Sequence, residues 1–140
     1  MGQGESGVLA DRLHSSAIHL LRRVRRTDPL TGVSAAQLSA LSVLMGGPRT
    51  LGELAAAEQV QPPTMSRLVR ELEGAGLVTR TRDATDARVV WIEWTEEGRQ
   101  VLQKGRELRV QTLEAQIRDL PAADRKVLAR ALAILEHLGI

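Results

Sequence analysis

The stretch from Ser34 to Thr95 writes out its own element boundaries, and these leave few folds open. Ser34-Ala-Ala-Gln37 and Thr50-Leu-Gly-Glu53 are both capping boxes, so one helix is expected to start at each. In the first, Leu38, Leu41, Leu44 and Met45 form a stripe to be buried, and Gly46-Gly47-Pro48 stops the helix. The second is short, with Leu51, Leu54 and Ala55 inward. A third helix opens at Gln61-Pro62-Pro63, where proline suits a first turn whose N–H groups have no intrahelical partner. Met65, Leu68, Val69 and Leu72 then repeat at helical spacing, and Gly74 and Gly76 end the run. Leu77 to Arg80 reads as a strand, Thr81 to Ala87 as a polar turn, and Val89 to Trp94 as a second strand. On that strand Val90, Ile92 and Trp94 alternate with Val89, Trp91 and Glu93, which predicts an outward Trp91.

Helical patterns flank this block. Leu9, Leu13, Ala17, Leu20, Leu21 and Val24 share one face of a helix over residues 8–26, followed by a loop at Thr27, Asp28, Pro29 and Gly32. Thr95 caps a long helix carrying Val101, Leu102, Leu108, Thr112, Leu113, Ile117 and Leu120. A last helix carries Val127, Leu128, Ala131, Ile134, Leu135 and Leu138. The order is four helices, a hairpin and two helices. The fold class expected is mainly α: a winged helix-turn-helix with an α/β wing hairpin and N- and C-terminal dimerisation helices. Residues 34–95 form the winged region, residues 1–33 and 96–140 the helical dimerisation region, and 140 residues fit one domain overall.

Composition narrows the chemistry. With no cysteine there is no disulfide, thiolate metal site, cysteine nucleophile or thiol redox switch. His14, His19 and His137 lack the spacing and acidic company of a metal site, so no metal is expected. No Ser–His–Asp arrangement or Gly-x-Ser-x-Gly is readable, so neither catalytic residues, enzymatic activity nor a cofactor is expected. No charged-then-apolar leader opens the chain, and no apolar run approaches the roughly 18 residues of a membrane span. The expected setting is cytoplasmic, away from a membrane. All but two of the 19 cations are arginine, against 17 acids, for a net charge of only +2. An anionic partner must therefore be held by placed arginines and not by a bulk positive field.

The third helix of the central block offers such placement. Gln61, Pro63, Thr64, Ser66, Arg67 and Arg70 lie off its apolar stripe. Its N-terminus directs a positive dipole outward, its first turns hold short hydrogen-bonding groups, and its arginines can reach phosphate or guanine O6 and N7. The hairpin tip adds Arg82, Asp83, Asp86 and Arg88. Arg88 is placed to enter a narrow minor groove, and Asp86 to hold its guanidinium. The Arg22–Arg26 cluster reads either as a further phosphate contact or as a solvated helix end.

Ser66-Arg67-Leu68-Val69-Arg70-Glu71-Leu72-Glu73, Gly76-Leu77-Val78-Thr79-Arg80, Asp86-Ala87-Arg88 and Trp94-Thr95-Glu96-Glu97-Gly98 together resemble the MarR-type transcriptional regulators. The matching block spans residues 60–98, and the order of helices extends it over essentially the whole chain. Trp94 stands where that family usually has Leu, and Pro121 where it usually has a Ser-type cap. The resemblance implies a homodimer knitted by the first, fifth and sixth helices, with each winged region on one half-site of double-stranded DNA, acting as a transcriptional repressor. It assigns Ser66 and Arg67 to the recognition helix and Asp86 and Arg88 to the wing. It also implies a small aromatic or anionic effector between the winged region and the dimer helices, with His14, Ile18 and Leu41 as candidate lining residues.

A dimer follows from physics as well. One helix-turn-helix makes too few contacts for tight selective binding, whereas a two-fold dimer reads half-sites about 34–36 Å apart. Two alternatives stay open at this point. The terminal helices could fold back on their own winged region, or the wing and Trp91 could bind protein in place of duplex.

Overall fold

A computed structural model describes residues 4–138. They divide into two compact units, one reaching Arg109 and one beginning at Val110.

The first unit opens with α1 (Glu5–Val24) and a 3-10 turn, Arg25–Thr31. Then come α2 (Ala35–Val43), β1 (Arg49–Thr50), α3 (Leu51–Glu58), α4 (Pro62–Gly74), β2 (Val78–Arg82) and β3 (Val90–Trp94). Both capping boxes form as expected: the Ser34 and Thr50 hydroxyls accept from the Gln37 and Glu53 amides, and the N3 side chains accept in return. The strands make one antiparallel sheet in the order β1-β3-β2. Val78 pairs with Trp94 and Arg82 with Val90, while Arg49 and Thr50 pair with Ile92 and Trp91. The core gathers Leu41, Leu44, Leu54, Met65, Val69, Leu72, Val78 and Ile92 between α2, α3, α4 and the sheet. The winged helix-turn-helix expected from the sequence is the fold observed.

Four local expectations are corrected. The first helix ends at Val24, not Arg26, because the chain tightens into the 3-10 turn that contains Pro29 and closes at Gly32, φ 88°. Met45 is 62% exposed while Ala40 is buried. The helix passes into a 3-10 turn at Leu44, whose tighter winding carries Met45 off the stripe. β2 runs on to Arg82, since its ladder with β3 continues through Thr81 and Trp91. β1 was not expected: two residues directly after a proline, the second of them the Thr50 cap, leave no periodic signal.

The turn after α1 is also more than a loop. Asp28 is fully buried, and Arg109 grips it in a fork: Nε donates to Oδ1 at 2.8 Å and Nη2 to Oδ2 at 2.6 Å. This partnership raises the guanidinium pKa above its ordinary value. Arg109 sits on α5 (Glu96–Arg118), which starts on the Thr95 cap. Close packing of α5 on α2 uses Gly105, whose added Cβ would lie 3.2 Å from a Leu38 methyl. Along α1, Leu9, Leu13, Leu20 and Leu21 are exposed and only Val24 is buried.

The second unit holds the end of α5 and α6 (Ala122–Glu136). Pro121 serves as the N-cap of α6 without a side-chain hydrogen bond. None of the described α6 residues is buried; Val127, Leu132, Ile134 and Leu135 all face solvent. No single helix among the described residues is long and apolar enough to cross a membrane.

Candidate nucleic-acid interface

The α3–α4 connection is fixed by backbone bonds. Gln59 adopts the left-handed conformation (φ 56°), its amide donates to Ala56 O, and the Val60 amide reaches back to Ala55 O. This pair of bonds satisfies the last carbonyls of α3 and turns the chain within three residues. The sequence carries no glycine here to mark that turn.

On α4 the stripe is buried as expected: Met65, Leu68, Val69 and Leu72 all enter the core. Gln61, Pro63, Arg67 and Arg70 are exposed, while Thr64 and Ser66 are half-buried. Among the described residues neither Arg67 nor Arg70 forms an ion pair. The carboxylates further along are occupied elsewhere. Glu71 accepts from Gln37 Nε2 at 2.9 Å, and Glu73 pairs with Arg80 at 3.2 Å. The acidic end of α4 is thus tied back to the protein, and its first turns carry unpaired positive charge.

Pro62 and Pro63 occupy the first two helical positions and have no N–H. Half of the donors that usually make a helix N-terminus an anion site are therefore missing. This end of α4 therefore offers an anion fewer backbone donors, beside the exposed Arg67 and Arg70.

The wing is a network of hydrogen bonds centred on Asp83. Its amide donates to Val89 O at 2.9 Å, closing the hairpin tip. Its Oδ2 accepts from the Thr85 amide (3.1 Å), the Thr85 hydroxyl (2.7 Å) and the Asp86 amide (3.0 Å). Its Oδ1 accepts from the Trp91 indole N–H at 3.0 Å. These donors, the indole first, hold the Asp83 carboxyl far below the ordinary carboxylate range. Asp86 in turn accepts from the Arg88 amide (3.0 Å), Nε (3.1 Å) and Nη2 (3.3 Å), and its pKa too is lowered, chiefly by the Arg88 side chain. The expected hold of Asp86 on the Arg88 guanidinium is present in the structure. Even so, the Arg88 side chain is 91% exposed. Arg82, at the end of β2, is exposed and forms no ion pair among the described residues.

Trp91 lies on the face opposite the buried Ile92, as the alternation predicts, but it is not freely displayed. It is half-buried, with its N–H spent on Asp83, so it offers less free aromatic surface to a protein partner than the alternation implied. The three effector candidates do not share an open surface. His14 and Ile18 are exposed on α1, whereas Leu41 is completely buried in the core of the winged region. Its aliphatic side chain packs inside the unit and does not line a crevice.

The MarR family model matches residues 31–89. An HTH-type transcriptional regulator of Mycobacterium tuberculosis is 33% identical over 128 residues, covering 91% of this chain and 90% of the relative. An uncharacterised HTH-type transcriptional regulator of Mycobacterium leprae is 32% identical over 131 residues, covering 93% and 92%. Among solved structures, RV1404 of Mycobacterium tuberculosis superposes with a TM-score of 0.81 at 26% identity, covering 99% of this chain and 96% of that one. A MarR family protein from Bacillus stearothermophilus gives 0.76 at 28% identity, covering 96% of both chains. A MepR variant of S. aureus, solved bound to an oligodeoxyribonucleotide, shares the fold with a TM-score of 0.70 at 19% identity, covering 91% and 94%. On its matched segment, its full-length relatives and its winged helix-turn-helix, this chain belongs to the MarR family.

Proposed function

We propose that the protein is a homodimeric, sequence-specific double-stranded DNA-binding regulator that represses transcription by occupying a pseudo-palindromic operator. The observation that carries this reading is the division of α4. It buries Met65, Leu68, Val69 and Leu72 and leaves Gln61, Pro63, Arg67 and Arg70 exposed, with no carboxylate paired to either arginine among the described residues. Such a helix suits the major groove, with Thr64 and Ser66 near base edges and Arg67 in reach of guanine. Arg82 and Arg88 then fall to the neighbouring backbone and minor groove, with Asp86 setting the Arg88 side chain. The DNA-bound relative of the same fold supports this use of the scaffold.

Dimerisation is supported by apolar surface that each unit leaves open. On α1 these residues are Val8, Leu9, Leu13, Ile18, Leu20 and Leu21; on α6 they are Val127, Leu132, Ile134 and Leu135. Apolar runs of this kind favour association with a second copy. In this reading residues 1–33 and 96–140 are the dimerisation region, and the protein works in the cytoplasm. A small aromatic or anionic effector would act by favouring one spacing of the two recognition helices.

The test begins with selection of duplexes from a random pool by the purified protein. A recovered site with two-fold symmetry and half-sites about one helical turn apart is expected. Arg67→Ala is expected to weaken binding to that site by about 1–3 kcal/mol and to relax preference at one base position per half-site. Equal affinity and unchanged preference would remove Arg67 from base reading. A monomer by sedimentation at micromolar concentration would remove the dimer.

A further inference from the structure

From the wing tip, the function just described needs only an exposed Arg88 and the Asp86 that holds it. The wing contains more order than that role requires, and the excess begins at a tryptophan outside the core. Trp91 lies on β3, paired with Thr81 on one side and Thr50 on the other. Its side chain takes the face opposite the buried Ile92, and its indole N–H crosses the hairpin to Asp83 Oδ1 at 3.0 Å. The second oxygen of the same carboxylate takes the Thr85 and Asp86 amides. Asp86 then takes three bonds from Arg88. The bonds therefore run unbroken from the indole on the strand to the guanidinium at the tip.

Resting on the DNA-binding reading above, we propose that Trp91 and Asp83 are positioning residues for DNA: they set the wing tip before binding so that Arg88 meets the minor groove in one orientation. The physical reason is entropic. A free tip of seven residues with an arginine next to its last must be ordered when DNA binds, and that ordering subtracts from affinity. A carboxylate that accepts four side-chain and backbone donors removes much of that freedom beforehand. Charge-assisted bonds are the stronger kind, and the depressed Asp83 pKa shows that its donors favour the ionised form. Asp83 keeps its negative charge, but both of its oxygens are turned to donors within the hairpin and not toward a phosphate. Asp86 likewise faces Arg88, so the two acids of the wing present bound oxygens.

The experiment is a double-mutant cycle on the selected duplex, read as affinity against salt concentration. Trp91→Phe keeps an aromatic ring, though a smaller one, and removes the N–H. It is expected to weaken binding about tenfold and to lower the salt slope by about one, the same change expected of Arg88→Ala. In the Arg88→Ala background, Trp91→Phe should then have little further effect, because its influence runs through Arg88. Asp83→Ala provides a second route to the same loss, and thermal unfolding checks that each variant keeps its fold. Additive effects, or Trp91→Phe with unchanged affinity and slope, would overturn the positioning role while leaving the DNA-binding reading intact. Failure of the wild-type protein to recover any duplex would overturn both.

Discussion

Replacement of Arg109 by alanine is expected to lower the unfolding free energy by about 3 kcal/mol, toward the lower end of the range for breaking a buried ion pair. Asp28 has no exposed surface, and both of its oxygens lean on the Arg109 fork. Without that partner the carboxylate must stay charged in a dry site, take up a proton or drag its turn open. The Arg109 side chain keeps 29% of its surface exposed, so water can enter after truncation and soften the loss. Urea unfolding followed by circular dichroism measures the effect. The paired variant Asp28→Asn with Arg109→Met should be milder than Arg109→Ala alone, because no buried charge is left without a partner. A loss below about 1 kcal/mol for Arg109→Ala would show that the pair behaves as a surface ion pair.

The second large effect is expected at Gly98, in the first turns of α5. A Cβ there would lie 2.2 Å from the Leu77 carbonyl oxygen, and that oxygen belongs to the backbone and cannot swing aside. The same carbonyl accepts the Thr95 amide at 2.9 Å, and the Thr95 hydroxyl donates to Gly76 O at 2.7 Å while accepting from the Gly98 amide at 3.1 Å. Gly98→Ala must therefore push α5 away from the start of β2 or break this junction. A destabilisation of about 3 kcal/mol is expected, at the upper end for overpacking. It should appear as a lower urea midpoint with unchanged slope. Gly74→Ala is the control, since an added Cβ at that exposed position meets nothing within 4 Å. Equal stability of the two variants would show that α5 shifts without cost. The Thr95-Glu96-Glu97-Gly98 motif thus has a mechanical meaning: threonine caps the helix and ties it to the strand, and glycine lets the two backbones touch.

The boundaries that the sequence revealed are those made by near neighbours. Ser34 with Gln37 and Thr50 with Glu53 are three residues apart, and each box closes regardless of what lies beyond it. The α4 stripe is a period of one helix, and the Asp86–Arg88 contact spans two residues. The missing amides of Pro62 and Pro63 were legible too, although their consequence for anion binding emerges only beside the free arginines. Tertiary structure decided the rest. Trp91 reaches Asp83 across eight residues and a hairpin whose register no local pattern specifies. Asp28 looks like a turn residue until Arg109, 81 positions later, closes on it. Leu41 could be assigned to a ligand crevice from its spacing, but packing of three helices and a sheet placed it in the core. Periodicity and capping are energies of a single segment and are written in its own residues. A buried charge pair, a pinned indole or a strand of two residues gains its free energy from a partner brought near by the folded chain, so it has no local trace.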